Sequence, residues 1–135
     1  MKEVDLTNFG NVTFGTNVKI KAKSFSIGDG TYLGDNVSIE AENVSIGSDC
    51  VIEMGTKIKG IGQVMNTFVL GDNCFIGHSN QILSPHFEMK DYSQLHNSCL
   101  CSGYKPLKIG FNCWIGQGAI LNSFESLTCL LYTSR

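Results

Sequence analysis

An aliphatic or aromatic residue recurs every six or seven positions along most of this chain: Phe14, Ile20, Ile27, Leu33, Ile39, Ile46, Ile52, Ile58, Val64, Leu70, Ile76 and Ile82, then Ile109, Ile115, Leu121 and Leu127. Glycine often follows it, as in Phe14-Gly15, Ile27-Gly28, Leu33-Gly34, Ile46-Gly47, Leu70-Gly71, Ile76-Gly77, Ile109-Gly110 and Ile115-Gly116. A helix repeats near 3.6 residues and a half-buried strand near two, so neither sustains this beat. A coil with three flat sides does, if each side is one short strand and each corner one turn. The short alternating strands and longer hairpin turns of a β-sandwich are absent from the pattern.

One repeat, Leu70-Gly71-Asp72-Asn73-Cys74-Phe75, reads as follows. Leu70 points inward and stacks on its equivalents in the coils above and below. Cys74, four residues on, is a small second inward position, which Val18, Val37, Cys50 and Cys113 also occupy. The Gly-Asp-Asn stretch turns the corner, where glycine accepts positive φ and Asn and Asp tolerate it. Three units close a turn of about eighteen residues, so that 14–32, 33–51 and 52–69 read as successive coils. The first two each hold an extra residue, expected as a bulged corner. Neighbouring coils then pair as parallel strands and the solenoid grows coil by coil.

The pattern Ile/Leu/Val-Gly-x-x-small-x resembles the hexapeptide-repeat, left-handed parallel β-helix proteins. The resemblance covers Phe14–Leu127 apart from a break near 84–106. It implies an all-β solenoid with three short strands per coil, its left hand being an exception to the usual crossover rule. The expected organisation is an N-terminal cap over 1–13, coils over 14–83, an extruded loop over 84–106, a further coil over 107–128, and a tail over 129–135. In that tail the beat is lost. Cys129–Ser134 reads like translated sequencing-adapter DNA, and the natural chain is expected to continue in further coils.

At 135 residues the chain is one domain at most. Net charge is −2 and pI about 5.8, which gives no footing for nucleic acid or an anionic membrane. No apolar run approaches membrane-spanning length and no leader is visible, so a cytoplasmic protein is expected. Of six cysteines, Cys50, Cys74 and Cys113 fall on the small inward slot and read as reduced core residues. Cys99-x-Cys101 lies in the break and has neither zinc nor redox spacing.

The chemistry is expected where the beat breaks. Residues 84–106 carry Ser84-Pro85-His86-Phe87-Glu88 and Gln94-Leu95-His96-Asn97, and the beat resumes at Ile109-Gly110-Phe111-Asn112-Cys113-Trp114-Ile115-Gly116-Gln117-Gly118-Ala119. This order resembles the CoA-dependent sugar O-acetyltransferases and xenobiotic acetyltransferases of the hexapeptide family. Their chemistry implies a His general base that takes a proton from an acceptor hydroxyl or amine as it attacks the thioester of acetyl-CoA. Imidazole suits that task because its unperturbed pKa lies near neutrality. Backbone N–H groups are expected to steady the oxyanion. By position the base is His86, with His96 the alternative, and His78 reads as a solvated turn residue. A partner for the ring is expected among Asp91, Glu88 and Asn80.

The resemblance further implies that Trp114 lines the acceptor or cofactor groove, or else packs as a surface aromatic. Gly116, Gly118 and Ala119 either admit the acyl-pantetheine arm or serve turn geometry alone. It also implies a homotrimer with the site between adjacent chains, a sugar-like acceptor and no metal. A γ-class carbonic anhydrase shares the fold, but His78 and His86 stand eight apart with Leu at 83, too far for that family's close His pair. The alternative reading is a non-catalytic β-helix serving oligomerisation or regulation.

Overall fold

The computed structural model describes residues 1–123 and, for the backbone alone, 127–129. It is a parallel β-solenoid of six coils, built as the hexapeptide left-handed β-helix is built. The first face carries Thr13–Phe14, Tyr32–Leu33, Val51–Ile52, Phe75–Ile76, Gln94–Leu95 and Trp114–Ile115. The second carries Lys19–Ala22, the first half of Ser38–Ile46, Lys57–Lys59, Gln81–Leu83, Leu100–Gly103 and Ile120–Ser123. The third carries Ser24–Ile27, the second half of Ser38–Ile46, Met65–Leu70, His86–Met89, Leu107–Ile109 and Leu127–Cys129. Inward positions stack in register: Ile20, Ile39, Ile58, Ile82, Cys101 and Leu121 form one column, and Val44, Phe68, Phe87 and Leu107 another. Phe68 and Phe87 stack with centroids 5.6 Å apart. At the N-terminal end Lys2–Glu3 pairs antiparallel with the first coil, and the Phe9 ring meets Phe14 and Phe25 edge-on.

The corners explain the glycines, though not by the route expected. Positive φ falls three residues after the inward residue, at Asn17, Asn36, Asp49, Asn73, Tyr92 and Asn112, and at glycine only in some corners, such as Gly55 and Gly118. The glycine directly after the inward residue is instead required by close approach. A Cβ on Gly71 would strike the backbone nitrogen and carboxylate of Asp91 in the next coil, and one on Gly15 would strike those of Asp35. Those carboxylates are held there by backbone N–H donors of the previous coil, Asp72 to Asp91 at 2.8 Å and Thr16 to Asp35 at 2.7 Å.

The small inward slot is a hydrogen-bonding slot as much as a packing one. Ser93 Oγ donates to Gly110 O at 2.5 Å and accepts from Cys113 N at 3.0 Å. Thr31 does the same for Gly47 O and Cys50 N, and the Cys50 thiol reaches Gly71 O at 3.0 Å. Each hydroxyl or thiol thus pairs backbone groups that a buried corner would otherwise orphan. Ser93→Ala is expected to cost about 1–3 kcal/mol by leaving both groups unpaired. Ser93→Cys, the residue other corners use, should recover most of that in urea unfolding.

Among the described residues Tyr92 is the one bulky side chain at a left-handed corner, with φ of 62° and more than half of its surface exposed. Non-glycine residues pay roughly 1–2 kcal/mol there, and Asn pays less because its short side chain bonds locally. Tyr92→Asn is expected to raise stability by about 0.5–1 kcal/mol, seen as a higher melting temperature.

Two expectations are corrected. The first is the extruded loop over 84–106, which does not exist. His86–Met89, Gln94–Leu95 and Leu100–Gly103 are ladder strands in register with the coils on either side. The beat runs on through Met89, Leu95 and Cys101, all buried. It was hidden because Lys90 and His96 replace the marker glycine and Cys101 replaces an aliphatic residue. Cys99 and Cys101 are therefore core residues, and burial pushes both thiols up from their ordinary pKa. Among the described residues Cys50, Cys74, Cys99, Cys101 and Cys113 form no disulfide with one another.

The second correction concerns coil length. Nineteen residues separate Phe14, Leu33 and Ile52, but twenty-four separate Ile52 from Ile76. The third coil is 52–75, not 52–69, and Val64 is not inward but half-exposed, at 51%. The extra residues, 60–64, bulge from the corner between the second and third faces. Of the expected tail, Cys129 continues a strand beside Ile109; Leu130–Arg135 lie outside the described residues.

Candidate functional site

His86 stands at the start of the third face. Alternation along His86–Met89 sends Phe87 and Met89 into the core and leaves His86 and Glu88 outward and half-buried. The corner before it is tied locally: Ser84 Oγ donates to His86 O at 2.9 Å, and His86 N approaches Ser84 Oγ at 3.3 Å. His86 Nε2 lies 3.5 Å from Glu88 Oε1, too far for a formed hydrogen bond, and is sealed from solvent without a partner. A buried ring nitrogen facing a carboxylate carries the proton, which leaves the lone pair on Nδ1. Glu88 is thereby singled out among the three expected partners. Asp91 is engaged by Asp72 N, and Asn80 is buried in its own corner, holding Cys99 N at 2.7 Å and Gly77 O at 3.0 Å.

His96 lies elsewhere, at the edge of the first face. Its Nε2 accepts from Trp114 Nε1 at 2.6 Å, and the Phe75 ring meets its ring in a T-shaped contact with centroids 5.6 Å apart. Gln94 Oε1 is placed 2.8 Å from the same nitrogen. Indole N–H can only donate, so Nε2 spends its single lone pair on Trp114 and leaves none for Gln94. The neutral His96 then carries its proton on Nδ1 and has no free lone pair while Trp114 stays in place.

His96 and Trp114 are thus brought together, and His86 sits on a different face from both. Trp114 is exposed, as are Phe111 and Tyr32. Gly116 is half-buried and Gly118 exposed at a positive-φ corner. Ala119 is corrected as a cofactor contact: its side chain is buried in the core column beside Cys99, and its backbone is engaged by Gly116 O and Leu100 N. Its small size serves the core. His78 is an exposed corner residue beside a shallow pocket lined by Tyr32, Asp35, Glu53 and Met54. Among the described residues no three His, Cys, Asp or Glu side chains are grouped to hold a metal. No helix among them is long and apolar enough to cross a membrane.

What the sequence did not reveal is the surface beside His86. The 60–64 bulge lies against that corner: Asn66 N donates to Pro85 O at 2.8 Å, and Ile61, Gln63, Pro85 and Tyr104 line a pocket of about 80 Å³. Its one visible signal was Gly60-Ile61-Gly62 in the twelve-residue step from Ile58 to Leu70.

Residues 24–59 match the family described as the hexapeptide repeat of succinyl-transferase. The match spans the second half of coil 1, coil 2 and the start of coil 3, so these repeats are of the kind found in an acyltransferase family. No curated protein matches the chain.

Proposed function

We propose that this chain is an acyltransferase that moves an acetyl group from acetyl-CoA to a hydroxyl or amine of a sugar-like acceptor in the cytoplasm. The observation that carries the reading is the His86–Glu88 pair, set outward on a solenoid whose repeats match those of succinyl-transferases. His86 Nδ1 takes the proton from the acceptor as its oxygen or nitrogen attacks the thioester carbonyl. The tetrahedral intermediate collapses by breaking the C–S bond, and the proton passes to the departing CoA sulfur. Glu88 orients the ring and offsets its charge while it holds that proton.

Trp114, Gly116 and Gly118 lie on another side of the prism, so in this reading a neighbouring copy in a homotrimer brings them to His86. Acetyl-CoA is the donor, and the thiol appearing on turnover reports the reaction. His86-dependent release of CoA by the full chain tests the proposal; absence of both turnover and acetyl-CoA binding would sink it.

One observation favours a second reading. A scaffold has no need of a His-bearing excursion, and the excursion expected at 84–106 is a regular coil. A non-catalytic oligomerising or regulatory β-helix would bind no acetyl-CoA and show no His86-dependent thiol release.

A further inference from the structure

We infer that the 60–64 bulge and Tyr104 form a saccharide subsite beside His86, which holds a part of the acceptor that does not react. The inference rests on the acyltransferase reading for what the bound sugar is for, but the binding itself is separately measurable.

The bulge is a built feature rather than slack chain. Coils before and after it close in nineteen or twenty residues, and only this one takes twenty-four. Its fold-back needs two glycines for different reasons. A Cβ on Gly60 would strike Gln63 O and Met65 N, while Gly62 sits at φ 73°. The loop therefore holds a definite shape against the corner that Ser84 and Pro85 make.

The lining combines three kinds of surface. Tyr104, at 63% exposure, presents an aromatic ring, Gln63 an amide, and Ile61 and Pro85 apolar walls. A pyranose has an apolar C–H face that covers an aromatic ring and hydroxyls that an amide can serve as donor or acceptor. The pocket, at about 80 Å³, is well below the size of a whole ligand site and suits part of one ring. Pro85 is both a wall of this pocket and the residue before His86, so a sugar seated there is carried next to the base. Among the described residues no charged side chain lines the pocket, and its amide and apolar walls fit a neutral ring.

The test is a titration of the full chain with methyl β-D-glucopyranoside, read by NMR of ring-labelled tyrosines. The Tyr104 resonances, assigned with Tyr104→Phe, should shift and saturate in the millimolar range, with Tyr32 and Tyr92 unmoved. Gln63→Ala should weaken that binding at least fivefold, and His86→Ala should leave it unchanged. No saturable shift at Tyr104, or equal shifts at Tyr32, Tyr92 and Tyr104, overturns the subsite. Because the readout needs no turnover, loss of the subsite with intact His86-dependent CoA release discards this inference alone. Binding at Tyr104 without any CoA release discards the catalytic reading and keeps the subsite.

Discussion

Replacing His86 with Ala in the full chain is expected to lower the rate of CoA release by 10²–10⁴, the range for loss of a positioned general base. The substitution lies on the outer surface of the solenoid and removes no core contact, so the melting temperature should change little. The fall should appear in kcat more than in the KM for acetyl-CoA, because the base acts on the acceptor's proton and not on the donor. Glu88→Gln should give a smaller loss, since the amide keeps the shape but cannot balance an imidazolium. His96→Ala is the control. With Nε2 occupied by Trp114, His96 has no free lone pair, and its removal should leave the rate within a few-fold. If His96→Ala abolishes turnover and His86→Ala does not, the roles are reversed and Trp114 must swing aside for catalysis. If neither matters, neither His86 nor His96 is the general base.

A carboxylate at position 68 should unfold the protein, and one at position 64 should do nothing. Phe68 is fully buried and stacked on Phe87, between Val44 and Phe87 in its column. Phe68→Asp removes that ring and buries an unpaired charge. Losing a buried Phe costs about 3–5 kcal/mol, and the charge adds several more. That sum rivals the whole stability of a domain, about 5–15 kcal/mol. Val64→Asp, at a half-exposed bulge position, should stay within about 0.5 kcal/mol. The pair of variants discriminates because a strict six-residue beat places Val64 inward and so predicts that Val64→Asp unfolds the chain as well. Circular dichroism during urea unfolding reads both. A folded Phe68→Asp chain or an unfolded Val64→Asp chain would overturn the register of the third coil.

That contrast shows why the beat was only partly legible. The five residues added at 60–64 stretch the step from Ile58 to Leu70 to twelve, twice six, and Val64 happens to fall in the middle. A period detector passes over such an insertion. The opposite error arose at 84–106, where coils continue but their markers are exchanged for Lys90, His96 and Cys101. The marker glycine answers to what stands in the next coil, an Asp such as Asp35 or Asp91, more than to its own φ. Single-chain spacing does not carry that cross-coil fact.

The candidate site was legible to the same degree. His86, His96 and Trp114 were visible as chemistry-bearing residues near one motif. Their sequence proximity suggested one site, yet the coil sends His86 to one face and the other two to another. Ala119 carried a small-residue signal that the core, not a ligand, explains.

By itself the sequence determined the architecture, because inward apolar residues every six positions have no other way to be buried together than on the sides of a stacked coil. It also determined that the cysteines at the small slot belong to that core. Only the tertiary structure decided which residues are neighbours across coils: that Trp114 occupies the lone pair of His96, and that a bulge from coil 3 reaches the corner of coil 4. Those contacts join residues about twenty positions apart through backbone ladders, and their geometry depends on the exact length of every coil between them.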